Sequence, residues 1–484
     1  MRNGIVAAAL ALGIAVAGAG RARADDTGDL KSELEAMKKK MEAQDRRIRE
    51  LEGSTMTRDE VAAAVDAYVA KTPMSAVLTA EGGGGSAGWP LGKHPFIQQG
   101  PNRLEIALRN QVRYQSFLYG KDARANSIDA TEPKDRSGYE IERLIVDFEG
   151  SVFCEDLTYR IEMSFGSPEN GGEQNRYEYI DWKYAGNHHT RAGNDKIAYS
   201  LADQNGTAKQ MFVDRNLTEQ AFRLGFDTGV SLWGYFGNCD CDKHFFYKVQ
   251  VTNGEGNGGA FSVFHTDALD TFSDQLLLAG MFEWRLTGRD LPFDEVDNRS
   301  CEERCCLDLA LGASAYYEND DDKKLPAPGG LAVKGNAGVG PLERTGFSGW
   351  LRGQWQGWSW QTEYFSRHID FTAGSAALNQ DDSGFYAQLH YRFPCSNWGV
   401  GAKYAVIWAD SDYYKGVLKD TMSEVGFVVN YFFWDHANKI TADVSFVNDN
   451  GGVTNKNSGY LVSAAKGVVV EDGVLLRVQW QIMI

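Results

Sequence analysis

Seven cysteines, Cys154, Cys239, Cys241, Cys301, Cys305, Cys306 and Cys395, are the residues best able to do covalent or metal chemistry. Such thiols either form disulfides in an oxidising compartment or bind zinc as thiolates. A zinc set could come from Cys239-Asp240-Cys241 with Cys301 and Cys305-Cys306, but it has no C-x-x-C spacing and no nearby histidine except His244. The disulfide reading pairs Cys239 or Cys241 with the Cys301–Cys306 cluster, and the odd total leaves at least one thiol free or paired between chains. His188 and His189 are adjacent in a short turn, so they cannot easily face one metal together. No Ser, His and Asp recur in a pattern that would build a nucleophile and its base. Gly82 to Gly85 follow a helical pattern, where a phosphate cradle would precede one. The residues give no reason to expect an enzyme, a bound metal or a cofactor.

The remaining chemistry is electrostatic, and it is arranged by alternation. Arg103, Arg109, Arg113, Arg143, Arg160, Arg223, Arg285, Arg392 and Arg477 fall on one face of segments that alternate polar and apolar side chains. Glu105, Asp147, Glu149, Glu162, Asp181, Glu283 and Glu363 share that face. Leu157 to Phe165 and Phe385 to Phe393 are clear cases; in the second, Tyr386, Gln388, His390 and Arg392 oppose Phe, Ala, Leu, Tyr and Phe. A strand with lipid on one face and water on the other must read this way.

The elements that position these residues are sixteen strands, expected at 103–118, 139–150, 157–166, 176–184, 189–194, 222–235, 244–252, 275–285, 307–317, 347–356, 358–371, 383–394, 399–409, 423–434, 439–448 and 473–484. An even count returns the chain to its starting side. Counted from that near side, the far connections 119–138, 195–221, 253–274, 318–346 and 449–472 are long and polar. The near connections 151–156, 185–188, 236–243, 395–398 and 435–438 are short, and 286–306 is the exception. A soluble sandwich has no reason to sort its loops by side. The expected fold is therefore all-β: a 16-stranded antiparallel transmembrane β-barrel over 103–484. All seven cysteines lie in or beside its near-side turns.

Composition agrees. The 484 residues hold 53 Gly and 11 Pro, with 12% aromatics. The mean hydropathy of −0.39 is too polar for a helical membrane protein. Beyond the N-terminus no apolar run approaches the roughly 20 residues of a spanning helix.

The N-terminal part reads differently. Residues 1–24 look like a secretory signal peptide: Arg2, the apolar stretch Ile5 to Ala19, then Ala22-Arg23-Ala24 as a cleavage site. Its removal takes three arginines and no acid, moving the net charge from −17 to −20. So acidic a chain is a poor partner for nucleic acid. Within 25–53, Leu30, Leu34, Met37, Met41, Gln44, Ile48 and Leu51 make a heptad stripe, expected as a short α-helical coiled coil that needs an oligomer for stability. A single solvated helix is the plainer alternative. Residues 54–80 are expected as a short helix with the capping box Thr57-Arg58-Asp59-Glu60, and 81–102 as a Gly-rich linker. Export across one membrane and a barrel in the next place the chain in a bacterial outer membrane, in contact with its lipid, with the coil in the periplasm.

An ordered series of short stretches from Gly138 to Gly254 resembles the phosphate-selective porin O and P family. Gly138-Tyr139-Glu140-Ile141-Glu142-Arg143-Leu144 and Asp156-Leu157-Thr158-Tyr159-Arg160-Ile161-Glu162 are similar to the family's early hairpin. Tyr179-Ile180-Asp181-Trp182, Arg191-Ala192-Gly193-Asn194-Asp195-Lys196, Val213-Asp214-Arg215-Asn216, Arg223-Leu224-Gly225 and Val251-Thr252-Asn253-Gly254 follow in order. The chain departs from the family at Ala198, where the family has proline, and ends in Ile484, where barrels usually end in an aromatic residue. The resemblance implies a trimeric, anion-preferring channel for small hydrophilic solutes or inorganic anions. Its third outer loop, here 195–221, would fold inward as the constriction. Lys196, Lys209, Arg215 and Arg223 are then the candidate constriction cations, and Arg109, Arg113, Arg143, Arg160 and Arg392 line the lumen. The plainer expectation is that each cation pairs with a nearby acid such as Asp195, Asp214 or Glu219. A barrel that only anchors a periplasmic coil would have the same fold.

Overall fold

The protein is described by a computed structural model over residues 85–89, 94–119, 136–165, 174–237, 244–254, 276–287, 291–299, 306–320, 342–371, 379–410, 421–448 and 472–484. The signal peptide, the coiled coil and the short helix expected at 1–80 lie outside these residues, as do Cys239, Cys241, Cys301 and Cys305.

Two short strands come first, β1 (Gly85–Gly88) and β2 (Phe96–Gln99), within the stretch expected as a linker. Sixteen barrel strands follow: β3 (Asn102–Tyr119), β4 (Arg136–Val152), β5 (Cys154–Ser164), β6 (Gln174–Ala185), β7 (His188–Lys196), β8 (Phe226–Phe236), β9 (Phe245–Thr252), β10 (Leu277–Arg285), β11 (Asp308–Asp320), β12 (Leu342–Trp355), β13 (Trp358–Phe371), β14 (Asn379–Arg392), β15 (Trp398–Trp408), β16 (Thr421–Trp434), β17 (Asn438–Asn448) and β18 (Asp472–Met483). Each of the sixteen pairs antiparallel with its neighbour in sequence, and β18 pairs with β3 from Gly473 opposite Tyr119 to Met483 opposite Arg109. Ile484 completes the seam by exchanging backbone hydrogen bonds of 2.9 and 3.0 Å with Leu108, so the non-aromatic last residue still closes the ladder. β1 and β2 form a hairpin-like pair, and β2 lies along the first residues of β3.

The side chains follow the alternation, inverted relative to a soluble protein. On β18, Leu476, Val478 and Trp480 face outward, Trp480 being 52% exposed, while Arg477, Gln479 and Gln481 are buried, Arg477 at 1%. On β16, Val425, Phe427 and Val429 are exposed between the buried Glu424 and Asn430. Apolar outside and polar inside is the arrangement lipid requires. The tight near-side turns carry Phe153, Gln356, Cys395 and Asp435 at positive φ, which compresses each reversal into a few residues.

Register shifts interrupt the ladder at five places, and two of them bear on the interior. Gln111 pairs with Arg143 but Val112 pairs with Ile141, so the extra residue Glu142 joins Arg143 on the inner face. A second shift beside Glu162 lies between β5 and β6. Strand β8 begins at Phe226, which corrects the expected start at 222 and takes Arg223 out of the sheet.

The three described cysteines all sit at near-side turns, as expected. Cys154 and Cys395 are exposed, Cys306 is half-buried, and no disulfide occurs among the described residues.

Gly193 shows how tightly the wall is built. It has φ +127°, and a Cβ there would lie 2.1 Å from the Glu178 carbonyl oxygen across the β6–β7 ladder. Gly193→Ala should cost about 1–3 kcal/mol. Denaturant unfolding in detergent, read by tryptophan fluorescence, should show an earlier midpoint than for Gly138→Ala, where a Cβ meets nothing.

Candidate functional site

Between β7 and β8, residues 197–225 turn into the barrel, as expected for the third far connection, and the Ile197 amide donates to the Gly225 carbonyl at 2.9 Å to close the base. Local sequence explains the shape. Ser200 caps α1 (Leu201–Gln204) by accepting from the Ala202 and Asp203 amides. Asn216 and Glu219 form a capping box that starts α2 (Leu217–Phe222).

The wall opposite is shaped to receive these helices. Glu363 on β13 accepts the Leu201 amide at 2.9 Å, and Glu424 on β16 accepts the Leu217 amide at 2.8 Å, so a carboxylate stands at each N-terminus. Lys403 neutralises Glu424 at 2.7 Å. Asp443, itself gripped by Arg477, accepts the Val213 amide at 3.0 Å. Asn430, Lys439 and Gln481 donate to the Met211, Gln210 and Ala208 carbonyls at 3.0, 2.6 and 3.1 Å. Beneath these bonds, Tyr199, Leu201, Leu217 and Phe222 pack with Tyr316, Trp350, Phe365, Tyr386 and Met422. Apolar residues on the inner face of this wall are thus explained by the loop they hold.

A second segment enters from the opposite rim. Residues 291–299, part of the exceptionally long near connection 286–306, bury Leu291, Val296 and Asp297. Arg352 donates to the Leu291 carbonyl at 2.9 Å, and Asp294 meets His436 at 3.0 Å. Glu295 accepts from the Met211 amide at 2.9 Å and from Asn205 at 3.3 Å, so the two inward segments meet inside the barrel. Sequence reading missed this segment; the length of the connection was the available signal.

Basic residues line both walls, but several of those on β3 to β8 stay more open. Arg109, Arg160, Arg176 and Arg191 keep 14–26% side-chain exposure, whereas Lys403, Glu424 and Arg477 on the loop-covered wall have none. Glu162 is shared by Arg109 at 3.7 Å, Arg160 at 3.0 Å and Arg176 at 3.8 Å. Asp147 takes Arg160 through Nε at 2.9 Å. Asp214 reaches from the loop to Arg113 at 3.2 Å and Arg143 at 3.6 Å. Arg392 lies elsewhere, at the near rim, where it meets Asn298 and Asp435 and covers Phe432. Arg176, Arg191 and Lys248 also point inward and went unnoticed in the sequence. The Asp181–Arg191 cross-strand pairing was the signal for one of them.

The four candidate constriction cations separate in space and in partners. Lys196 ends β7 and donates to the Asn205 carbonyl at 3.0 Å. Arg215 lies 3.6 Å from Asp203. Lys209 is exposed on the loop, and its carbonyl accepts from the Glu295 amide at 3.3 Å. Arg223 is the C-cap of α2, and its side chain has no hydrogen bond or ion pair among the described residues. Burial, and then the neighbouring Arg215, lower the Arg223 guanidinium to about 10. Of the acids named as neighbours, Asp195 is held by Arg191 at 2.7 Å and Lys248 at 2.9 Å, Asp214 by Arg113 on the wall, and Glu219 completes the capping box with Asn216.

Comparison with known proteins bears on this geometry. Residues 116–262 match the family model described as phosphate-selective porin O and P. No curated protein matches the chain in sequence. Among solved structures, the outer-membrane OmpT of Vibrio cholerae is similar at 12% identity and a TM-score of 0.51, over 80% of this chain and 100% of that one. An anion-selective porin from Comamonas acidovorans aligns at 11% identity and a TM-score of 0.47, over 79% and 100% of the two chains. OprB of Pseudomonas putida aligns at 10% and 0.48, over 79% and 94%. The first likeness is one of fold, a closed sixteen-stranded porin barrel.

The meeting of the two inward segments generates a pH dependence. Burial, and then Glu295, push the Glu219 carboxyl well above the usual carboxylate range, and burial raises Glu295. Groups raised in this way favour the closed contact when protonated, so that stability is complete below the ordinary value near 4.5 and is lost as pH rises. Conductance in a planar bilayer should therefore rise from pH 5 to pH 8, and Glu295→Gln should flatten the rise.

Proposed function

We propose that this chain, a porin-type barrel matched over 116–262 to the phosphate-selective porin O and P family, is an outer-membrane diffusion channel for small hydrophilic solutes that prefers inorganic anions. One observation carries the anion preference: on the β3 to β8 wall, the three guanidiniums of Arg109, Arg160 and Arg176 converge on Glu162, with Asp147 on Arg160 as the second carboxylate, so positive charge is in excess there. A guanidinium whose charge is only partly balanced attracts anions and supplies hydrogen bonds that replace part of their hydration. Arg223 extends the row onto the loop, where its field is shared with Arg215 and Arg143 and with the carboxylates Asp203 and Asp214.

In this mechanism the β10 to β18 wall holds the loop and the β3 to β8 wall guides the solute. Carboxylates are spent on fixing helix ends and backbone amides, and arginines are left facing the water. Lys209, Arg113, Arg143 and Arg392 contribute to the field, and three chains assemble as the family resemblance implies.

Planar-bilayer recording of the purified full chain under a salt gradient tests this. The reversal potential should lie toward the anion equilibrium value. Removing one charge at about 4 Å from the ion in water forfeits ~1 kcal/mol, or about fivefold, so Arg109→Ala with Arg176→Ala should cut the anion-to-cation permeability ratio by at least that factor. A cation-selective wild type ends the anion proposal, and a chain that passes no current is an anchor, not a channel.

A further inference from the structure

At the near rim, away from the inward loop, β2 brings a histidine against two carboxylates. Glu105 and Glu149 stand directly opposite each other on β3 and β4, a like-charge pairing that is unfavourable by itself. His94 Nδ1 lies 4.0 Å from Glu105 Oε2 and 3.7 Å from Glu149 Oε1, and all three side chains are half-buried. Their ligand atoms lie within 4.8 Å of one another. These separations are too long for hydrogen bonds. The two histidine distances, 3.7 and 4.0 Å, are a few tenths of an ångström above the ~3.4 Å between neighbouring ligands held at about 2.1 Å around a tetrahedral zinc ion, and a modest closing of the carboxylates completes the set.

We propose that His94, Glu105 and Glu149 form a binding site for a divalent transition-metal ion of the zinc class, which clasps β1 and β2 to the near rim of the barrel. Two carboxylates and one neutral imidazole balance the charge of such an ion and relieve the repulsion across β3 and β4. Nitrogen and oxygen donors suit zinc, with a water molecule as the fourth ligand.

The surroundings orient the ligands as an outer shell would. Glu105 Oε1 accepts from Arg103 Nε at 2.6 Å, which turns Oε2 toward the histidine. Arg103 is held by Gln98 at 2.9 Å and lies 4.2 Å over the Phe96 ring, so β2 positions Arg103 while His94 lies just before it. Asp147, the other nearby carboxylate, is engaged by Arg160 and does not compete.

The test uses the untagged full chain in detergent, stripped with a chelator, reloaded with zinc, passed through gel filtration and measured by elemental analysis. Wild type should retain about one zinc per chain, and His94→Ala and Glu149→Gln should each lose it. His368→Ala should retain it: His368 meets Asp370 and Asp381 through different ring nitrogens and cannot chelate one ion with both. Cobalt in place of zinc distinguishes this site from any cysteine site, because thiolate ligands add a near-ultraviolet charge-transfer band and these donors do not. Failure of the wild type to retain zinc, equal retention by His94→Ala, or a thiolate band would each overturn the proposal. None of these outcomes depends on whether the channel prefers anions.

Discussion

Lipid offers no hydrogen bonds, and that constraint organises the whole molecule. Each unpaired backbone amide or carbonyl left in hydrocarbon costs several kcal/mol, so the sheet must close on itself. Closure between β18 and β3 satisfies the last edge. It also forces the alternation, with one side chain in two given to lipid and the other to the interior. An interior lined this way is rich in carboxylates and guanidiniums that would be intolerable in a soluble core, and these groups become the means of building a site.

The interior divides that labour by wall. Glu363, Glu424 and Asp443 spend their charge on loop amides, and Lys403 and Arg477 compensate two of them. A loop capped only by its own Ser200 and Asn216 would have little reason to prefer one position in a wide cylinder. With the wall carboxylates at both helix starts, its placement is determined by matched donors and acceptors. The facing wall touches the loop through Arg113 and Arg143, which hold Asp214, while Arg109, Arg160, Arg176 and Arg191 stay partly hydrated. Asymmetry of charge use, more than the total charge of −17, distinguishes the two sides.

Much of this was legible in the sequence because the strand period is short and the membrane enforces it. All sixteen barrel strands, the sorting of long and short connections and the inward faces of Arg109, Arg113, Arg143, Arg160 and Arg392 follow from alternation. Features that break the period were not legible. Glu142 turns inward because of a bulge, which depends on the partner strand and leaves no mark in its own sequence. Alternation predicts a strand from 222 with Arg223 inward, but Phe222 ends a helix and Arg223 caps it. Lys196 and Arg215 find their partners, the Asn205 carbonyl and Asp203, inside the same loop, but only the way that loop folds brings them together. The 291–299 segment hides in a connection whose composition resembles any polar loop.

The seam has a further meaning in time. Gln111 and Gln481 bond across it although 370 residues separate them, and the final residue takes part in the same ladder. Such a contact cannot form until β18 is in place, so the edge of β3 that faces it stays open while every intervening strand pairs. An exposed edge of that length invites pairing with other chains. Closing the seam removes that hazard, because the same ladder that satisfies the backbone also hides the edge.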